Sequence, residues 1–218
     1  MTPMGPSSGQ RLSVLHTLRI RGFADTPQVA ESTGLSDDEA HAFLHASEQA
    51  GEVRYRDGRM VGWSLTPDGR AKGEELLSEE LDSQGARASV AEAYAQFLNV
   101  NAGFLALCTD WQLRPPDSRE QDPVFNDHSD PNYDAEVIAR LADLDGHAQS
   151  ICSDLADQLE RFTEYGPRFA HALHRVQTGE LDWFTKPMIE SYHTVWFELH
   201  EDLLATLGID RAAESVPC

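Results

Sequence analysis

The chain has 218 residues and a formal net charge of −20, from 37 acidic and 17 basic side chains. A body this acidic repels nucleic acid and anionic membrane, so contact with a polyanion has to come from a locally basic part. With 40% hydrophobic and 25% charged residues the chain can bury a real core, and no apolar run reaches the length of a bilayer span.

The opening MTPMGPSSGQ has no basic n-region and no apolar h-region. It reads as a short disordered tail over residues 1–10, not as a secretory leader. RLSVLHTLRIR then places Leu12, Leu15, Leu18 and Ile20 at roughly helical spacing, with Gly22 as a stop. Thr26-Pro27 predicts an N-cap and first helical position for a short helix ending at Gly34. Ser36 and Glu39 form an S-x-x-E capping box for a third helix with Ala40, Phe43, Leu44 and Ser47 inward. EVRYR and MVGWSL are two β-like runs around Asp57-Gly58-Arg59, a hairpin signal. Thr66-Pro67 starts another helix through DGRAKGEELLSEEL.

The order of three helices, a hairpin and a helix is that of a winged helix-turn-helix. The segment PQVAESTGLSDDEAHAFLHASEQAGEVRY, followed by Gly62, Trp63, Leu65, Thr66, Pro67, Gly69 and Arg70, resembles the MarR-type family over about residues 11–80. That resemblance implies a DNA-binding regulator acting as a homodimer. Charge divides the chain at a similar place. Residues 11–72 hold 8 basic and 9 acidic side chains, while the rest holds 9 and 28. Two units are expected, a winged domain over 11–81 and an acidic helical domain over 82–213.

In the second unit, Ala86–Leu113 predicts one long helix and Asp134–Phe162 another, with Asp134 as a helix cap. Between them lies a polar loop, RPPDSREQDPVFNDHSDPNYD. Pro167–Val176 predicts a third helix, and Pro187 starts a fourth that runs to Gly208. The expected fold is therefore mainly α: an N-terminal winged helix-turn-helix with a small β-hairpin wing, then an antiparallel helical bundle. This unit is similar to the C-terminal half of some actinobacterial MarR-like regulators, where NDHSDP and SYHTVWFELHEDLL recur. A similar block accompanies phosphoenolpyruvate-utilising dikinase-type domains.

Candidate DNA contacts are Arg54, Arg56 and Arg59 at the wing, for phosphate or the minor groove, and Asp38, His41 and His45 on the third helix, for base edges. Asp37, Asp38 and Glu39 front that helix, and Ala42 and Ala46 stand where related regulators often carry Arg, which weighs against strong DNA binding. In the second unit, Trp111, His128, Tyr133, His193, Trp196 and His200 are candidates for lining a small-ligand pocket, though rings in a bundle are more often core. Glu190 and His193 spell E-x-x-H without the second copy that a di-iron bundle needs, so no metal is expected. NDHSDPNYD lacks the glycine turn and distant Glu of a calcium loop, and Asx turns account for most of it. Cys108, Cys152 and Cys218 form no CxxC, consistent with a cytoplasmic setting. No nucleophile elbow, P-loop, GxGxxG or HExxH is present, so neither catalysis nor a cofactor is expected. The reading is a DNA-binding regulator with a dimerising or ligand-sensing helical domain. The alternative is a protein-interaction module accessory to a phosphotransfer-type enzyme.

Overall fold

A computed structural model describes residues 8–58, 61–114 and 123–211. The protein is mainly helical, with a small antiparallel hairpin and a second pair of two-residue strands. It forms two compact units. One holds the described residues up to Ser83 together with those from Leu204 onward, and the other is Gln84–Leu203. Among the described residues no helix is long and apolar enough to cross a membrane.

The first unit runs α1 (Ser8–Arg21), α2 (Thr26–Thr33), α3 (Asp37–Gln49), β1 (Val53–Arg56), β2 (Gly62–Leu65) and α4 (Pro67–Ser83). Helix α1 starts inside the segment 1–10 that the sequence assigns to a tail. Its buried Leu12, Val14, Leu15 and Leu18 share a core with Ala40, Leu44, Trp63 and Leu77. Ala205, far along the chain, joins the same core, which carries this unit past the expected limit at residue 81. Helix α2 is capped by Asp25, one residue before the expected Thr26: Gln28 N donates to the Asp25 carboxylate at 2.9 Å, and Asp25 N donates back to Gln28 Oε1 at 2.9 Å. Thr26 serves elsewhere, its hydroxyl accepting from Trp63 Nε1 at 3.1 Å. Helix α3 has the expected Ser36–Glu39 box and buries Ala40, Phe43, Leu44 and Ser47.

The hairpin pairs Val53 with Leu65 and Tyr55 with Trp63. Trp63 also exchanges both backbone bonds with Ala24, at 2.8 and 3.1 Å, which fastens the hairpin to the α1–α2 turn. Two glycines are required by close approach. A Cβ at Gly62 would lie 2.7 Å from the Ala24 oxygen, and one at Gly69 only 1.8 Å from the Glu52 oxygen. Thr66 completes the junction: its hydroxyl donates to Gly51 O at 2.6 Å and accepts from Gly69 N at 3.1 Å, capping α4.

The second unit contains α5 (Arg87–Gln112), β3 (Leu113–Arg114), β4 (Val124–Phe125), α6 (Pro131–Ala156), a 3-10 turn (Glu160–Phe162), α7 (Tyr165–Gln177), α8 (Asp182–Thr185) and most of α9 (Tyr192–Leu207). The contacts set the directions. Helix α5 meets α6 at Asp110 with Tyr133, and again at Gly103 with Leu144. It meets α9 at Phe104 with His193 and at Phe97 with His200. Helix α7 meets α9 at Phe169 with Tyr192 and at Tyr165 with Asp202. In each pair the residue number falls on one helix as it rises on the other, so all three pairs run antiparallel.

Three expected elements are corrected. The helix expected over Asp134–Phe162 starts at Pro131 under an Asp130 cap and ends at Ala156. Leu159 is extended there and turns the chain so that both Leu159 and Phe162 are buried. The last helix starts at Tyr192, not Pro187: Met188 takes a left-handed φ of 69°, which a helix cannot contain, and Ser191 Oγ accepts from Thr194 N at 3.3 Å at the new start. The polar loop carries the β3–β4 pair, with Leu113 opposite Phe125.

Candidate functional site

The sequence-derived candidates within the described residues are distributed over both units. In the first unit the inward stripe of α3 is fully used by the core, so its other face is presented outward. Asp37, Asp38, Glu39, His41, Ala42, His45 and Gln49 are all exposed there. Glu39 is committed to the cap, and its hydrogen bonds from the Ser36 hydroxyl and backbone hold its carboxyl below the usual range. The His41 and His45 rings meet edge to face at 4.4 Å. His45 meets Trp63 at 5.3 Å, and Tyr55 meets Trp63 at 5.0 Å. A row of rings therefore runs from the exposed face of α3 onto the hairpin, seated on a buried indole.

Arg54 and Arg56 are exposed on β1. Side chains alternate along a strand, so the pleat sets them on the face opposite Tyr55 and its partner Trp63. Arg54 Nε donates to Ser64 Oγ at 3.4 Å, across the hairpin on that face. The structure thus brings His41 and His45 together with Tyr55 and Trp63, and directs the two arginines to the other side of the same hairpin. Asp38 lies in the acidic first turn of α3, between Asp37 and Glu39, and no ring contact joins it to the histidines. Arg59 lies outside the described residues. Glu52, buried just before β1, is held by a two-point ion pair from Arg11.

The six second-unit candidates fall into two sets. Trp111, His128 and Tyr133 gather where α5 passes through the strand pair into α6. Asn126, fully buried, organises that place: its Nδ2 donates to Trp111 O at 3.1 Å and to Asp134 Oδ1 at 2.9 Å. His128, at a left-handed φ of 59°, sets Nδ1 3.1 Å from both Asp134 oxygens and its ring 4.5 Å from Trp111. Tyr133 donates to Asp110 O at 2.8 Å, and burial raises its phenol above the ordinary value. Asp134, expected as a helix cap, is instead the buried acceptor of this node, and Asp130 caps α6. The Asx turns expected here are present, with Asp127 accepting from Ser129 N at 3.1 Å and Asn126 Oδ1 from His128 N at 3.2 Å.

His193, Trp196 and His200 line one face of α9 against α5. Trp196 stacks on Phe104 at 4.4 Å and Phe97 at 4.8 Å, and its Nε1 donates to Asn101 Oδ1 at 2.9 Å. His200 lies 5.0 Å from Phe97. Burial lowers the His193 imidazole below its ordinary value. These rings fill the interhelical space with one another. An open cleft of this unit, about 270 Å³, lies elsewhere and is polar, bordered by Glu92, Gln96, Asp154 and Asp157. None of the six candidates lines it.

The phenol–carboxylate bonds and arginine–carboxylate pairs of this unit join residues too far apart for sequence spacing to signal. Tyr192 donates to Asp145 at 2.9 Å, and Tyr165 to Asp202 at 3.0 Å, where Arg161 also pairs with Asp202. Arg168 joins Glu190 and Glu198. Burial alone would lower its guanidinium, but the two carboxylates together hold it above its ordinary value. Glu190 of the E-x-x-H spelling is thus engaged by an arginine, and it precedes α9. Among the described residues no group of three or more His, Cys, Asp or Glu is arranged to hold a metal ion. Burial pushes the Cys108 and Cys152 thiols up to about 12, which keeps them protonated and unreactive at neutral pH.

Comparisons with family models, curated proteins and solved structures find no match to this chain.

Proposed function

We propose that the first unit is a DNA-binding module of the MarR-like winged helix-turn-helix type, and that the chain is a transcriptional regulator acting as a homodimer. One observation carries this reading: a third helix with an uncovered outer face stands beside a hairpin bearing exposed Arg54 and Arg56, in the near-neutral part of a chain of net charge −20. In this reading the arginines take phosphates, while His41, His45 and Asp38 meet base edges. The helical unit dimerises, senses a small ligand, or does both. Two copies would present two modules to two half-sites. The test is a titration of random duplex, and of duplex from upstream of the encoding gene, at about 50 and 200 mM salt. Binding that weakens steeply with salt supports the reading; no binding at the lower salt overturns it.

A second reading is favoured by the acid front of α3. Asp37, Asp38 and Glu39 repel phosphate at the helix end that would enter a groove. The ring row of His41, His45 and Tyr55 is a surface suited to a protein partner. The chain would then be an accessory module of a metabolic enzyme of the phosphotransfer type, and the low-salt titration separates the two readings.

A further inference from the structure

Helix α5 carries two apolar stripes, and only one of them is covered. Val90, Phe97, Phe104 and Trp111 recur every seven residues and are buried in the second unit. Round the helix from these, Ala91, Ala95, Leu98, Ala102, Leu105 and Thr109 follow alternating steps of four and three, and all six are exposed. Leu98 is 38% and Leu105 53% exposed. From Ala93 to Thr109 no residue carries a charge, in a chain where charged residues make up 25%. A helix apolar on both sides is one that is packed on both sides.

The exposed stripe is its own complement. Turned end for end about a point near residue 100, Leu98 falls opposite Ala102, Leu105 opposite Ala95, and Thr109 opposite Ala91. Each leucine then meets an alanine, which fills the seam at close helix approach without gap or clash. A parallel, in-register pairing sets leucine on leucine and alanine on alanine, alternating collisions with voids. A two-fold interface requires this reciprocity, residue i meeting j while j meets i. Charge selects the same face: two molecules of net charge −20 repel nearly everywhere, and least where a helix face has no charge.

We propose that the outer face of α5 is a homodimer interface, in which α5 packs antiparallel on α5 of a second copy with Leu98 seated against Ala102 of the partner subunit. The stripe from Ala91 to Thr109 is about 27 Å long. A helix pair of that length buries on the order of 600 Å² per copy, near the lower edge of stable interfaces, so the dimer dissociates on dilution. Salt strengthens it, because screening relieves the repulsion between the acidic bodies while the seam itself is uncharged. The proposal extends the homodimer part of the regulator reading, but mass measurement tests it without DNA, so either can fail alone.

Sedimentation velocity of the full chain at roughly 1 to 100 µM is the test. The expected result is a shift from the 24.2 kDa monomer to twice that mass as concentration rises, at lower concentration in higher salt. Leu98→Glu with Leu105→Glu should stay monomeric throughout, with an unchanged melting temperature at the lowest concentration because both side chains are already exposed. Orientation is read by nitroxides at Ala91→Cys or Asn99→Cys in a Cys218→Ser background. Antiparallel packing separates the 91 labels by about 27 Å along the axis and the 99 labels by about 3 Å. A wild-type chain monomeric at every concentration, a dimer that survives the double substitution, or short distances at both positions would overturn the proposal.

Discussion

Tyr192 donates its phenol hydrogen to the Asp145 carboxylate at 2.9 Å, with Tyr192 fully buried and Asp145 nearly so. The acid sits in the apolar stripe of α6 between Leu141 and Ala148, where packing alone would call for another aliphatic residue. Burial raises its carboxyl above the ordinary value, and the bonds from Tyr192 and Gln149 only partly offset this. Burial likewise raises the Tyr192 phenol.

A carboxyl whose folded pKa exceeds its unfolded one costs no stability at a pH below the unfolded value. Stability is then lost as pH rises through the window up to the folded value. Asp145→Asn should therefore be neutral or stabilising at pH 7 and should remove this loss. Tyr192→Phe, which strips a donor from the buried acid, should cost about 1–3 kcal/mol. Urea unfolding across a pH series checks both; an Asp145→Asn variant that is less stable at pH 7 but not at low pH would show that the carboxylate is favourable where it lies.

Gly69 and Gly73 share α4 but should respond oppositely to alanine. A Cβ at 69 would sit 1.8 Å from the Glu52 oxygen, a backbone atom that cannot step aside. At 73 it would lie 3.8 Å from Leu15 Cβ, an ordinary contact. Gly69→Ala should cost about 1–3 kcal/mol or more through overpacking. Gly73→Ala should gain about 0.5–1 kcal/mol through helix propensity. Equal shifts in the denaturation midpoints of the two variants would contradict the packing of α4 against the start of β1.

Asn126→Asp tests the node in the second unit. The wild-type amide donates to Asp134, whereas a carboxylate at 126 would face a second buried carboxylate. The expected loss is about 2–4 kcal/mol at neutral pH, shrinking in acid as one of the pair takes up a proton. Trp111, whose carbonyl the amide holds and whose ring meets His128, should report the loosening as a fluorescence change. A pH-independent loss would mean that the amide acts through shape alone.

Much of the first unit is legible in the sequence because its signals are local. The Ser36–Glu39 box, the inward Ala40, Phe43, Leu44 and Ser47, the pairing of the runs on either side of Asp57-Gly58 and the Thr66-Pro67 start need only neighbours a few residues apart. The limits of the second unit's helices are less legible, because burial of Leu159 with Phe162 and the left-handed Met188 are decided by tertiary packing. Asp145 was detectable in principle as an acid on an apolar stripe, but its partner lies 47 residues away. The candidate sites divide the same way. Their residues stand out by type, yet their grouping depends on the hairpin's register, which sets Tyr55 and Trp63 toward His45 and turns Arg54 and Arg56 to the other face.

The regulator reading therefore rests on whether those two arginines hold DNA. The most direct measurement is the slope of log affinity against log salt for wild type and for the Arg54→Gln, Arg56→Gln double variant on the same duplex. If each arginine neutralises one phosphate, the variant binds more weakly to every sequence and its slope flattens by about 1.8, or 0.9 per contact. Equal slopes for the two proteins, or no binding by wild type at about 50 mM salt, would contradict the account.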